Sequence, residues 1–329
     1  MLKTLNRAAL VLVTILFLVL SLGALTFQTA PPIRWICYAL TGAVAVGVIG
    51  AGRKWGWLVL ALGIAGAGLW YQTIQPRADR IWAEDVARGV TGVVHGDFVT
   101  LTNVRDFDWQ TRDEAEVRWR DMTFDLREIT SVDLFNSVWS SPLIAHTLIG
   151  FGFEDGRHLV FSAEIRREKG EVFSTFGGFF RQFELVMIAA TESDIVRLRT
   201  TMRGEDVSLF PLRVSRDQAR ELFLSYITRA NKLQAQPEFY NTLTSNCTTI
   251  IWELAHTFNR SLPFDWRVLV SGMLPEYLQD RGLLQVDAPI AEIRAAARIS
   301  DLARQSDASG ASYSTVIRSG AVSSLLAAE

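Results

Sequence analysis

Nucleophilic chemistry has one strong candidate in this chain, Cys247, within the run Asn246-Cys247-Thr248-Thr249. Ile250, Ile251, Leu254 and Phe258 follow at helical spacing, which places the cysteine at or near a helix N-terminus. The positive end of a helix dipole and its unpaired N–H groups lower a thiol's pKa and favour thiolate. A free cysteine can also be a small buried hydrophobe. The polar neighbours Thr242, Thr244, Ser245, Asn246, Thr248 and Thr249 weigh against that, because a merely packed cysteine needs none of them. The other cysteine, Cys37, falls in an apolar run, so no structural disulfide is expected.

A thiolate nucleophile needs a general base, normally histidine, and a polar group to orient it. His256 lies nine residues beyond Cys247 on the same helix, about half a turn away from its face. His95 stands beside Gly96 at an expected turn and His158 opens a strand next to one, so exposure is the default for both. His146 differs, because it lies among Leu143, Ile144, Leu148 and Ile149, where an unpaired imidazole is costly. Glu154-Asp155-Gly156 reads as a three-residue hairpin turn closed by a left-handed Gly156. That turn pairs Phe153 with Arg157 and carries His146 across from Glu164 on one sheet face. A satisfied core histidine is the competing reading. The sequence has no His-Glu-x-x-His, no second cysteine beside Cys247, no ligand-spaced carboxylate cluster, no Gly-x-Ser-x-Gly elbow and no phosphate or dinucleotide loop, so no metal or cofactor is expected.

The elements that must position these residues read as antiparallel sheet followed by helices. Residues 97–104 alternate, with Phe98, Thr100, Thr102 and Val104 on one face and Val99 and Leu101 on the other; 122–134, 142–153, 183–190 and 207–212 are also rich in strand formers. Ser215 and Gln218 make a capping box that opens a helix with Ala219, Leu222, Phe223, Tyr226 and Ile227 on its apolar face. Phe173, Phe176, Phe179 and Phe180 cluster around Gly177-Gly178 in a loop-rich stretch. They could enter lipid or line an acyl groove, but core packing is the preferred expectation.

The first 72 residues contain no Asp or Glu, and three apolar runs, 8–27, 36–52 and 55–71, approach the roughly twenty residues a helix needs to cross about 30 Å of hydrocarbon. Three crossings with Lys3, Arg7, Arg53 and Lys54 inside leave the remainder outside; Arg34, Arg77 and Arg80 count against that orientation. A cleaved signal peptide beginning at Lys3 and Arg7 is the alternative, opposed by the apolar runs that continue after it. Setting aside five anchor cations leaves 28 of the 33 basic residues against 35 acidic ones, a balance that argues against nucleic acid as a partner. A free Cys247 in an oxidising compartment then needs a reason.

Several ordered motifs resemble the Lnb N-terminal periplasmic domain family: Asn103-Val104-Arg105-Asp106-Phe107, Ala145-His146-Thr147, Phe151-Gly152-Phe153-Glu154-Asp155-Gly156, Phe161-Ser162-Ala163-Glu164-Ile165-Arg166-Arg167-Glu168, Glu192-Ser193-Asp194, Arg197-Leu198-Arg199, Pro237-Glu238-Phe239-Tyr240-Asn241-Thr242-Leu243 and Asn246-Cys247-Thr248-Thr249. The likeness spans most of residues 95–260. It implies an α+β, permuted papain-like thiol enzyme of the NlpC type, with the strand histidine preceding the helix cysteine. In that reading Cys247 is the nucleophile, His146 the base and Glu164 the orienting group, while Asn246, Thr248, Tyr240, Asn241 and Arg166 shape the site or meet substrate. The family's namesake is a lipoprotein N-acyltransferase, which implies transfer of an acyl chain through a cysteine thioester. In the namesake the membrane helices follow the domain, whereas here the apolar runs precede it.

The expected organisation is a membrane anchor of about three helices over 1–72, a linker helix over 73–94, a papain-like periplasmic domain over 95–300 and a flexible tail over 301–329 with a short element around Tyr313 to Ile317. The expected function is a thiol acyltransferase or hydrolase on the periplasmic face of a bacterial inner membrane. A membrane phospholipid is the candidate acyl donor and a lipoprotein or other lipid-linked molecule the acceptor. A cell-wall peptide amidase or thiol peptidase and a non-catalytic membrane-tethered scaffold are the alternatives.

Overall fold

The uncharged, apolar start of the chain builds one of two units. In the computed structural model, which describes residues 2–309 and 312–320, it forms α1 (Leu2–Gln28), α2 (Pro31–Gly50) and α3 (Gly52–Gln72). Pro31 and Pro32 open α2, where a missing N–H costs nothing, and Gly52, at φ +71°, turns the chain into α3. Leu10, Phe17, Val48 and Leu60 pack between the three helices. A Cβ at Gly56 or Gly63 would strike the Val48 carbonyl or the Val44 side chain, so glycine permits the close approach of α2 and α3. Two stretches, Asn6–Gln28 and Pro31–Gly50, are long and apolar enough to cross a membrane. The third expected crossing, α3, is a helix of 21 residues that glycine and Lys54 leave short of the same standard.

The same unit takes in residues 172–184 and 239–242. Phe180 stacks on Phe27 of α1, ring centroids 5.9 Å apart. Gln28 Nε2 donates to the carbonyls of Phe180 and Arg181 at 2.8 and 2.7 Å, and Arg181 donates to those of Tyr71 and Ile74 at 2.8 and 3.1 Å. The expectation of core packing is therefore corrected, because Phe173, Phe176 and Phe179 are exposed. A segment whose only regular element is one 3-10 turn, Gly177–Phe179, cannot enclose four rings.

The second unit, residues 80–171, 185–238 and 243 onward, is the sheet domain, and with α1–α3 it makes the chain mixed α+β. Its strands are β1 (Thr91–His95), β2 (Phe98–Arg105), β3 (Asp108–Trp109), β4 (Ala115–Glu116), β5 (Trp119–Asp125), β6 (Ile129–Ser141), β7 (Ile144–Phe153), β8 (His158–Arg166), β9 (Glu184–Thr191) and β10 (Asp206–Pro211). They order as β1-β2-β9-β8-β7-β6-β10, with β5 also paired to β2 and β3-β4 a separate ribbon. The β7-β8 hairpin turns on Gly156 at φ +80° and pairs Gly152 with His158 and Ile149 with Phe161, the register the three-residue turn dictates.

Helices cover both faces of this sheet. After β9 come α4 (Glu192–Arg197) and a five-residue π-helical turn, Leu198–Met202; then follow α5 (Arg216–Ala235), α6 (Cys247–Phe258), α7 (Leu274–Asp280), α8 (Ile290–Ala297), α9 (Ser300–Ser309) and α10 (Tyr313–Arg318). α5 opens on the Ser215–Gln218 capping box and buries Phe223 and Tyr226 against Phe151 and Phe161. Val160, Val186 and Ile188 of the sheet pack with Ile195, Ala303, Tyr313 and Ile317 in another cluster.

Two expectations about the flanks are corrected. No linker helix forms over 73–94: one 3-10 turn, Glu84–Val86, is present, and the chain instead runs beside β8, with Ala83 N–H donating to the Arg167 carbonyl at 3.0 Å. Pro76 and Gly89 and the lack of a helical apolar repeat explain why. Nor are 301–309 and 312–320 a loose tail. Ile317 is buried, and Arg318 reaches Glu192 at 2.6 and 2.7 Å and Asp133 at 2.6 Å, an anchoring that Ser- and Ala-rich composition conceals. The remainder of the expected tail, 310–311 and 321–329, lies outside the described residues.

Candidate thiol site

Cys247 is the first residue of α6. Asn246 caps the helix, its Oδ1 accepting the N–H groups of Thr248 and Thr249 at 2.9 Å each, while Thr249 Oγ1 accepts the Asn246 N–H at 2.8 Å. The cap leaves the Cys247 N–H outside its own bonds. The helix start lies against residues 145–147 of β7: Thr248 Oγ1 is 3.2 Å from Thr147 Oγ1, and the thiol is 4.0 Å from the Ala145 carbonyl. Cys247 is 7% exposed.

His146 stands in that same stretch of β7. Its Nε2 is 2.7 Å from Ser162 Oγ and 3.1 Å from Glu164 Oε1, and Ser162 in turn donates to Glu164 at 2.8 Å. Nε2 is the ring nitrogen that faces this group. Glu164 Oε1 also accepts from Arg199 at 3.0 Å, and Arg199 meets Glu205 at 3.4 Å. Burial would push the Cys247 thiol up, but the charge and hydrogen bond of His146, helped by Thr147, bring it from 9.0 down to about 6. Burial, and more weakly Arg199, press His146 down, yet Glu164 and Cys247 raise it from 6.5 to about 9. Burial likewise works against ionised Glu164, whose carboxyl His146, Arg199 and Ser162 nevertheless hold well below the usual range. The favoured state near neutral pH is a thiolate–imidazolium pair oriented by a carboxylate.

Residues 115–272 match the Lnb N-terminal periplasmic domain family. The match encloses Cys247, His146 and Glu164. No curated protein and no solved structure matches the chain. Together with the two apolar stretches ahead of it, the match points to a membrane-associated periplasmic protein.

The other sequence-singled residues divide. Asn246 and Thr248 build the start of α6. Arg166 donates to the carbonyls of Val86 and Ala87 at 3.1 and 2.6 Å and lies 4.5 Å over the Trp82 ring, tying the extended segment before β1 to β8. Tyr240 and Asn241 belong to the unit of α1–α3, where the Tyr240 N–H donates to the Phe183 carbonyl at 3.0 Å. Of the remaining histidines, His256 stacks on Trp252 and His158 lies 3.1 Å from the Gly156 carbonyl. No group of three or more His, Cys, Asp or Glu that could hold a metal occurs among the described residues.

Sequence reasoning overlooked Ser162, Arg199 and Tyr226. Ser162 was accessible, since it precedes Glu164 by two residues and strand period returns it to the same face. Arg199 arrives from the π-helical turn after α4, a position without local signal. Tyr226 had been read only as part of the apolar face of α5. Its buried hydroxyl has no hydrogen-bond partner, and its pKa is raised by burial and by the charge of Cys247.

Proposed function

We propose that the Lnb-type domain is a permuted papain-like thiol acyltransferase or hydrolase acting on lipid-linked substrates at the periplasmic face of the inner membrane. The observation that carries the reading is the seating of Cys247, at the start of α6, against the stretch of β7 that bears His146, itself held by Glu164. The Cys247 thiolate attacks an ester carbonyl, and the tetrahedral oxyanion takes hydrogen bonds from the Cys247 N–H and the Tyr226 hydroxyl. His146 returns its proton to the departing alcohol, leaving an acyl thioester on Cys247. An incoming amine or water then attacks the thioester as His146 removes its proton, and the thiolate is regenerated.

Lipid substrates are favoured over cell-wall peptides because the chain carries its own membrane helices, which keep the thiol at high effective concentration near the bilayer. A phospholipid is the donor in this reading, and a lipoprotein N-terminal amine the acceptor. A periplasmic domain with Lys3 and Arg7 inside requires an odd number of crossings, so α3 counts as one. Its 21 residues extend about 31 Å. Intact-mass analysis of the full-length protein purified with phospholipid tests the chemistry. An adduct of one acyl chain, released by hydroxylamine and lost in Cys247→Ala, is expected. Equal labelling of wild type and Cys247→Ala by a thiol-reactive lipid probe would leave the scaffold reading.

A further inference from the structure

The insert between β8 and β9 is anchored along one edge and bare along the other. Along the anchored edge Phe180 stacks on Phe27, Gln28 holds the Phe180 and Arg181 carbonyls, and Arg181 holds those of Tyr71 and Ile74 while lying 4.4 Å over the Tyr71 ring. The fit is close, since a Cβ at Gly23 would fall 2.3 Å from the Phe180 ring. Along the bare edge Val172, Phe173 and Phe176 are 79, 53 and 74% exposed. Residues 172–180 carry no charge at all.

Where the insert is anchored bears on what covers that edge. Gln28 ends α1 and Tyr71 lies one residue from the end of α3, so the contacts gather at the termini of helices from the membrane anchor. Trp35 and Tyr38 near the start of α2, and Trp70 and Tyr71 near the end of α3, form contacting aromatic pairs at the corresponding helix ends. Such aromatic rings mark the level of the lipid headgroups. An irregular backbone is excluded from the hydrocarbon interior but tolerated at that level, where water still reaches its N–H and C=O groups. An exposed, uncharged aromatic patch continuous with a membrane anchor fits a lipid surface better than water.

We propose that residues 172–179 are a membrane-surface insert, with Val172, Phe173 and Phe176 seated among the headgroups and upper acyl chains of the leaflet where α1 and α3 end. The insert gives the protein a lipid contact additional to its helices, formed by a segment that interrupts the sheet domain's chain. Nothing in it requires Cys247 to be a nucleophile, so it stands or falls separately from the thiol chemistry.

The test replaces Phe176 with the photoreactive analogue p-benzoylphenylalanine in the full-length protein, held in nanodiscs of phosphatidylethanolamine and phosphatidylglycerol. Leu40 of α2, exposed on a candidate membrane span, carries the analogue in a parallel sample. After irradiation, both samples are expected to gain the mass of one phospholipid. Lipid adducts at Leu40 with none at Phe176 would overturn the proposal. So would cross-linking of the Phe176 position to a second copy of the chain in place of lipid.

Discussion

Removing the carboxylate of Glu164 should convert a neutral-pH thiolate into an ordinary thiol. The imidazolium and Glu164 Oε1 are 3.1 Å apart, which at an effective dielectric of about 20 corresponds to about 5 kcal/mol of attraction. Burial and Arg199 oppose it, and the surviving rise takes His146 from 6.5 to about 9. In Glu164→Gln the opposing effects remain and only Cys247 still raises the imidazole, so His146 falls from about 9 toward its ordinary 6.5 and is largely neutral at pH 7. Cys247 then loses its cationic partner and returns from about 6 toward 9.0 or above. At pH 7 the thiolate fraction drops about ninety-fold, while the higher pKa makes each thiolate about twentyfold more nucleophilic. The net alkylation rate at pH 7 therefore falls only about fourfold. The decisive quantity is the inflection of iodoacetamide reactivity against pH, measured on the full-length protein. It should move up by about three units, with Glu164→Gln overtaking wild type above about pH 7.7. An inflection that stays near 6 in Glu164→Gln would refute the assignment of Glu164 as the group that charges His146.

Three further outcomes follow from other parts of the site and fold. Tyr226→Phe should lower acyl-thioester formation about a hundredfold, the loss typical of one oxyanion donor, with the alkylation inflection unmoved; an unchanged acylation rate would remove Tyr226 from the mechanism. His146, raised in the fold, contributes stability that is full below pH 6.5 and lost as pH rises through about 9. Cys247, depressed in the fold, contributes stability present above 9.0 and lost as pH falls through about 6. The two nearly cancel in wild type, whereas Cys247→Ala removes the cysteine's share of the His146 rise and leaves that of Glu164, so stability should fall by up to about 2 kcal/mol between pH 6.5 and 9, read as a falling Tm; a Tm flat over that range would argue against a histidine raised by Glu164. Asp194 is fully buried and takes Arg105 at 2.8 and 3.0 Å, the Phe107 N–H at 3.0 Å and Trp109 Nε1 at 2.7 Å. Arg105→Met should destabilise the domain by about 3 to 5 kcal/mol in denaturant, and a loss below 1 kcal/mol would contradict the burial of that ion pair.

Local chemistry made much of this protein legible. The Glu154-Asp155-Gly156 turn sets its own register, so the approach of His146 to Glu164 follows from counting outward along two strands. The caps at Ser215 and Asn246 are likewise properties of three or four adjacent residues. What the sequence hid depends on distant partners. Arg199 reaches Glu164 from a π-helical turn, and nothing in Leu198–Met202 announces its target. The phenylalanines of 172–180 look like core by composition, yet their surroundings are decided by α1 and α3, a hundred or more residues earlier. The tail was misjudged for the converse reason, because its Ser- and Ala-rich composition says little while one arginine and two buried aromatic and aliphatic side chains hold it.

That arginine bears on how the domain is assembled and how it can be divided. The family match ends at residue 272, but Asp133 and Glu192, both buried, take their cation from Arg318. A truncation at 272 would strand two carboxylates in the interior and should yield an aggregation-prone fragment whose boundaries look complete by homology. The same dependence orders folding after export. β6 and α4 reach the periplasm before their counter-charge, so Asp133 and Glu192 stay unpaired until α10 has followed.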